Sequence, residues 1–237
     1  MNLYILVEGE KTEVNIYPKY ISYLLPALHR VSQHHLAIKN NYYLMSGYGQ
    51  PSIYKHLCNA IIDINNSNLY NYLVLCIDTE EWSIQDRKNE ALNKIRESNV
   101  QLNSGCELVI ITQKPCIETW FLGNISSYTD NPITQEFKDC SNYYNVSIED
   151  PEDMGKKDFN TKAQFHKYYL SKMLIEKSKN FKKNSNGIRI RYNEGYTAYV
   201  EQEEYFKEIV KRVLTTNHCS TFKDFYNFFL QLKQKIT

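Results

Sequence analysis

Glycine and proline are scarce in this chain, with eight Gly and six Pro among 237 residues. That scarcity excludes a collagen-like repeat and a Gly/Pro-rich disordered chain. No apolar run approaches the roughly 18 to 20 residues of a membrane-spanning helix; the longest are stretches such as Leu73–Ile77. Glu8 interrupts the first apolar stretch where an export leader would continue, so the expected setting is the cytoplasm, without membrane contact. The cysteines, at 58, 76, 106, 116, 140 and 219, include no Cys-x-x-Cys pair and have no histidine at metal-ligand spacing. A disulfide framework or structural zinc site is therefore not expected. A Gly-x-x-x-x-Gly-Lys-Ser/Thr loop is also missing, so the chain has no nucleoside-triphosphate P-loop of its own.

What is present is an ordinary globular composition, 42% hydrophobic and 23% charged. It suffices for one large domain, or for one of about 100 to 150 residues with a smaller appendage. The abundant Asn and Tyr carry little weight, since codon bias in an AT-rich genome is the expected source of both. The net charge of +1 conceals an asymmetry. Residues 1–154 hold 11 basic and 19 acidic residues, whereas 155–191 hold 11 basic residues against Asp158 and Glu176; the remainder balances. Such a map suggests a cation-gathering site beside a phosphate-gathering surface. The plainer reading is a solvated, Lys-rich helix and loop.

The chain divides by rhythm. Residues 2–7 form a short apolar run suited to a strand buried on both faces, and Thr12–Leu25 reads as a helix with Thr12 as N-cap. A second strand is expected at Asn41–Ser46, a helix from about Ser52 to Ile64, and the clearest buried strand at Tyr72–Ile77. A charged helix over Ser83–Ser98, a fourth strand at Glu107–Thr112 and a helix from Ile117 follow. Four strands alternating with helices imply an α/β fold with a parallel or mostly parallel sheet flanked by helices. Residues 126–153 are polar and turn-rich. A basic helix is expected over 160–180, a loop over 181–186, and two helices at Val200–Leu214 and Phe222–Lys235. The stripe Phe222, Phe225, Phe228 and Phe229 reads as core packing, and aromatic C-terminal helices could also pair two copies in a homodimer. The expected division is an α/β catalytic domain at 1–125 and a basic, mainly helical extension at 126–237 packed on it.

Ligands of open α/β sheets sit beyond the C-terminal strand ends, and acids stand there. Glu8 follows the first strand; Asp78, Glu80 and Glu81 follow the third; Glu118 follows the fourth. On an extended strand end Asp78 and Glu80 face the same way and can converge on one ion. An oxygen-only donor set favours Mg²⁺ or Mn²⁺ over zinc. The competing reading makes these acids helix caps; it suits Glu13, Glu81 and Glu118 but explains Glu8 poorly.

The segment Val7-Glu8-Gly9-Glu10-Lys11-Thr12-Glu13 after a first strand resembles the opening motif of TOPRIM domains. Asp78-Thr79-Glu80 resembles their Asp-x-Asp motif, with Glu80 as a longer second acid, and the order of elements matches that Rossmann-like fold through roughly residue 125. Within that group the chain is most similar to small bacterial RloB-like and OLD-nuclease-like proteins, in which a Glu-containing segment resembles Ile117-Glu118-Thr119-Trp120-Phe121-Leu122. The resemblance implies a metal-dependent nuclease in antiphage defence that hydrolyses phosphodiesters by metal-activated water, working beside an ABC- or AAA-type ATPase supplied in trans. It implies Asp78 and Glu80 as Mg²⁺ or Mn²⁺ ligands, Glu8 as a further ligand or general acid/base, and Glu118 as part of a second metal site. Lys11 and Lys114 stand where they can hold a phosphate or offset transition-state charge; the alternative for each is a solvated surface residue. Lys156, Lys157, Lys162, Lys167, Lys172, Lys179, Lys182, Lys183, Arg189 and Arg191, interleaved with Phe159, Phe165, Tyr168, Tyr169 and Phe181, form the candidate DNA- or RNA-binding segment. His166 reads as a structural or surface residue before a catalytic one. The rival classes are a non-catalytic nucleic-acid-binding or accessory subunit of an ATPase-containing complex, and a structural α/β protein whose acids are caps.

Overall fold

The computed structural model describes residues 1–181 and 197–236, and its chain divides into two compact units. The first comprises residues 1–113 with 224–237, the second residues 114–223. The boundary falls at the end of the last strand rather than at residue 125, and the C-terminal fourteen residues belong with the sheet.

The first unit is built on five strands: β1 (Asn2–Val7), β2 (His29–Val31), β3 (Asn41–Ser46), β4 (Tyr72–Asp78) and β5 (Glu107–Gln113). All neighbours are parallel, in the order β2-β3-β1-β4-β5. The apolar runs at β1 and β4 occupy the centre of the sheet, and every residue of β1 is buried. That is the expected pattern for strands covered on both faces. The short β2, His-Arg-Val, lies on the edge and exposes two of its three residues, so it lacks the apolar signal that marked the other four strands.

Helices α1 (Thr12–Leu24), α2 (Ser52–Ser67) and α3 (Ile84–Glu97) connect the strands. Tyr4, Leu6, Leu73, Leu75 and Ile77 pack with Ile53, Leu57, Ile61 and Ile64 of α2 and Ala91 of α3. Successive strand residues alternate between faces, which sends Cys76 to the opposite face with Tyr17 of α1. There the C-terminal part of the last helix (Ser220–Ile236) adds Phe225 against Tyr17 and Phe228 against Tyr72. The C-terminal aromatic stripe is thus core. Helix α1 starts at Thr12, and the N-cap position falls on Lys11 without a side-chain cap. Ser83 caps α3, its Oγ accepting the Asp86 N–H at 3.0 Å.

The second unit is helical: α4 (Ile117–Leu122), α5 (Gln135–Tyr143), α6 (Lys162–Phe181), the short α7 (Thr197–Val200), α8 (Glu203–Thr215) and the opening residues of α9 (Ser220–Ile236). Helix α5 lies within the stretch expected to be turns; only Phe137 and Cys140 of its nine residues are buried, so its apolar face is too narrow to announce itself. Polar groups staple this unit. Arg212 donates to the carbonyls of Val146 (2.6 Å) and Glu149 (2.7 Å), and the Glu152 carboxylate accepts the Thr221 N–H (2.8 Å) at the start of α9. Among the described residues no helix is long and apolar enough to cross a membrane.

Candidate functional site

The strand order reverses direction at β1, with β3 on one side and β4 on the other, and the crevice of such a sheet opens at that switch point. Glu8 stands there, 8% exposed. Its backbone N–H continues the ladder to the Cys76 carbonyl (3.1 Å), and its Oε2 accepts the Asp78 N–H at 3.0 Å. Gln50 donates to Oε1 at 3.2 Å, and the Gly49 N–H donates to the Glu8 carbonyl at 2.9 Å. Glu8 therefore stitches together the ends of β1 and β4 and the turn after β3. Burial pushes its carboxyl pKa up; the Asp78 N–H, the Arg87 charge and Gln50 oppose that shift, and Glu80 reinforces it.

Asp78 is the last residue of β4, and its carbonyl accepts from Arg87 Nε at 2.8 Å. Its charge joins that of Glu13 in raising the pKa of Tyr17, after burial. Glu13 stands in the first turn of α1, as the helix-cap reading has it, and is buried, with Oε1 accepting the Gly9 N–H at 3.2 Å. A Cβ at Gly9 would lie 2.0 Å from Glu13 Oε2, so Gly9 allows this carboxylate to fold back onto the turn. Cys76 beside Tyr17 has its thiol pushed up to about 12 by burial, and packs there as a small hydrophobe.

Glu80 does not continue the strand. Its φ is 51°, in the left-handed region, so the extended geometry that would align it with Asp78 ends before it. Its carboxylate is 54% exposed and lies 3.7 Å from Arg87 Nη2. Arg87, 1% exposed, also donates to Glu90 (2.6 Å) and Tyr54 (3.2 Å), and so locks the end of β4 to α3 and α2. Sequence reasoning passed over Gln50 and Arg87 because neither carries a spacing signal. Thr79 Oγ1, Thr112 Oγ1 and Gln113 Oε1 are buried without a hydrogen-bond partner among the described residues. Polar atoms left this way point to water, an ion or a ligand at the edge.

Lys11 is exposed at the head of α1. Lys114 and Glu118 belong to the second unit. Lys114 is ion-paired to Asp153 at 3.0 Å, and Glu118 is buried in the first turn of α4. Lys156 Nζ donates to the Asn160 carbonyl and Lys157 Nζ to the Asp139 carbonyl, both at 3.3 Å; Lys162 is half-buried at the start of α6. Lys172 sits over the Tyr168 ring. Phe165 and Tyr169 are fully buried, so these aromatics anchor the segment rather than meet a ligand. His166 is a core residue, its Nδ1 paired with Thr119 Oγ1 (2.8 Å) and its Nε2 with the Met154 carbonyl (3.1 Å). Lys182, Lys183, Arg189, Arg191 and most of the expected 181–186 loop lie outside the described residues, while Phe181 ends α6.

Among the described residues no group of three or more His, Cys, Asp and Glu side chains is arranged to hold a metal ion. The arrangement is a buried carboxyl of raised proton affinity at the switch point of a five-stranded, all-parallel, Rossmann-like sheet, with a second acid on the next strand end. No family model, curated protein or solved structure matches the chain.

Proposed function

We propose that the chain is a metal-dependent nuclease of TOPRIM type that hydrolyses nucleic-acid phosphodiester bonds. The observation that carries this reading is Glu8 at the switch point, bonded to the Asp78 N–H and buried with its pKa raised. A carboxyl in that state can take or return a proton nearer neutral pH than an ordinary one. Glu8 and Asp78 fit Mg²⁺ or Mn²⁺ in the mode these ions commonly use: one or two carboxylates, with water and substrate phosphate oxygens completing the shell rather than an all-protein cage. The unpartnered Thr79 and Gln113 oxygens at the same edge suit that hydrated chemistry. When bound, the ion neutralises phosphate charge and acidifies water. Glu8 would hold or move the proton at its carboxyl, Asp78 would orient the substrate-bearing edge, and Arg87 would keep the end of β4 in place. Within the first unit Glu80 enters as a further acid and Lys11 as a phosphate contact; within the second, Glu118 enters as an acid of its own and Lys114, Lys156, Lys157 and Lys162 as phosphate contacts.

The test is cleavage of plasmid DNA, single-stranded DNA and total RNA with Mg²⁺ or Mn²⁺. Glu8→Gln and Asp78→Asn are each expected to lower turnover by about 10²-fold or more, with melting temperatures near wild type. Retained cleavage in both variants would sink the reading. The setting we propose is bacterial antiphage defence beside an ATPase, checked by co-purification from the native operon. A second reading, a non-catalytic nucleic-acid-binding or accessory subunit, is favoured by the lack of a three-acid cluster among the described residues. It predicts binding without turnover in every metal.

A further inference from the structure

Two loops border the switch point, the turn from β3 to α2 and the turn from β4 to α3, and each leaves a large aromatic side chain in solvent. Tyr48 is 60% exposed and Trp82 is 56% exposed. Other aromatics of this unit, Tyr4, Tyr17 and Tyr20, are almost completely buried, as is usual for rings that can reach a core. The backbone beneath both rings is held in place. Tyr48 N–H donates to Ser46 Oγ (3.0 Å), and its neighbour Gly49 donates to the Glu8 carbonyl. Trp82 N–H closes a turn on the Thr79 carbonyl (2.9 Å), directly before the Ser83 cap. The Tyr48 ring rests beside His56 of α2, with centroids 5.7 Å apart.

Backbone strain falls on the same two loops. In residues 1–113 the non-glycine residues with left-handed φ are Asn40, Tyr48, Asn68, Glu80 and Asn99. Asparagine adopts this region readily, whereas Tyr and Glu do so less readily because their Cβ crowds the backbone. Strain of this kind concentrates where a loop must present a group in one direction. The chemistry of the edge then selects the ligand. Glu8, Glu10, Glu13, Asp78, Glu80 and Glu81 outnumber Lys11 on the segments that form it, so charge alone holds a polyanion poorly there and a contact of another kind is needed. Exposed aromatic faces supply one, because every nucleobase has a π-face to stack. Bases within a duplex are already stacked and do not present it.

We propose that Tyr48 and Trp82 are stacking platforms for unpaired bases, so that the nucleic acid taken at the Glu8–Asp78 edge is single-stranded. This rests on the phosphodiesterase reading. Trp120, the other tryptophan, is 1% exposed, so quenching of the accessible tryptophan emission reports on Trp82. The experiment titrates the full chain in EDTA with short oligo-dT, oligo-U and a mixed-sequence duplex at fixed salt, following tryptophan quenching and the anisotropy of a labelled strand. Single strands are expected to quench and to bind more tightly than the duplex. Tyr48→Ala and Trp82→Ala should each weaken single-strand binding roughly ten-fold, while Tyr48→Phe and Trp82→Tyr retain it. Unchanged affinity in both alanine variants, or a preference for duplex, overturns the proposal. Cleavage assays in Mg²⁺ run beside the titrations separate the two ideas. Binding lost in the alanine variants while no protein cleaves supports the stacking site and removes the nuclease reading. Cleavage with alanine variants binding like wild type does the reverse.

Discussion

Glu8 is subject to opposing forces. The Asp78 N–H and the Gln50 amide favour its carboxylate form, yet burial outweighs them and its pKa rises above the ordinary 4.5. The folded state therefore keeps a proton that the unfolded chain has already lost, in the window from 4.5 up to the folded value. In that window stability falls as pH rises: the contribution is complete below 4.5 and gone above the folded pKa. Glu152, also raised by burial, acts in the same direction. Melting temperature followed from pH 4 to 7 should decline more steeply for wild type than for Glu8→Gln, which lacks the titrating group; parallel curves would mean that Glu8 is not shifted. Glu8 was legible as a candidate because an acid beside a Gly interrupts an apolar strand. Its buried state was not, since that depends on Gln50 and Asp78, which lie 42 and 70 residues away.

Strand ends and the helices behind them set the site at the scale of elements. β1 and β4 were visible in the sequence because strands buried on both faces must be apolar throughout. The short edge strand β2 and the narrow-faced helix α5 bury too little to leave such a pattern. The relation of Asp78 to Glu80 depended on an assumption about an element, that the strand runs on past Asp78, and the left-handed turn at Glu80 ends it. Arg87 is what binds α3 to that strand end, through the Asp78 carbonyl, Glu90 and Tyr54. Arg87→Met removes the charged donor to the Asp78 carbonyl, Glu90 and Tyr54. We expect it to lower stability by about 2–3 kcal/mol, measured by urea unfolding. A loss below the error of that measurement would contradict the clamp.

Charge acts across the whole molecule. The near-zero total hides an acidic 1–154 and a basic 155–191, and long-range attraction of a polyanion falls to the basic part. Lys156, Lys157 and Lys162 belong to it. Replacing all three by Gln should weaken binding to single strands of any sequence and make the slope of log affinity against log salt shallower by about 2. An unchanged slope would exclude them as phosphate contacts. By itself, the sequence determined the alternation of strands and helices, the parallel sheet and the presence of acids after its strands, because burial periodicity and strand-ending residues are local properties. Only the tertiary structure decided which strand ends and side chains come together. Glu8 and Asp78 meet through a hydrogen bond between distant strand ends, Glu13 folds onto Gly9, Glu80 turns out toward solvent and Arg87, and Tyr48 and Trp82 are left exposed. Those outcomes follow from side-chain burial and backbone turns that neighbouring residues do not dictate.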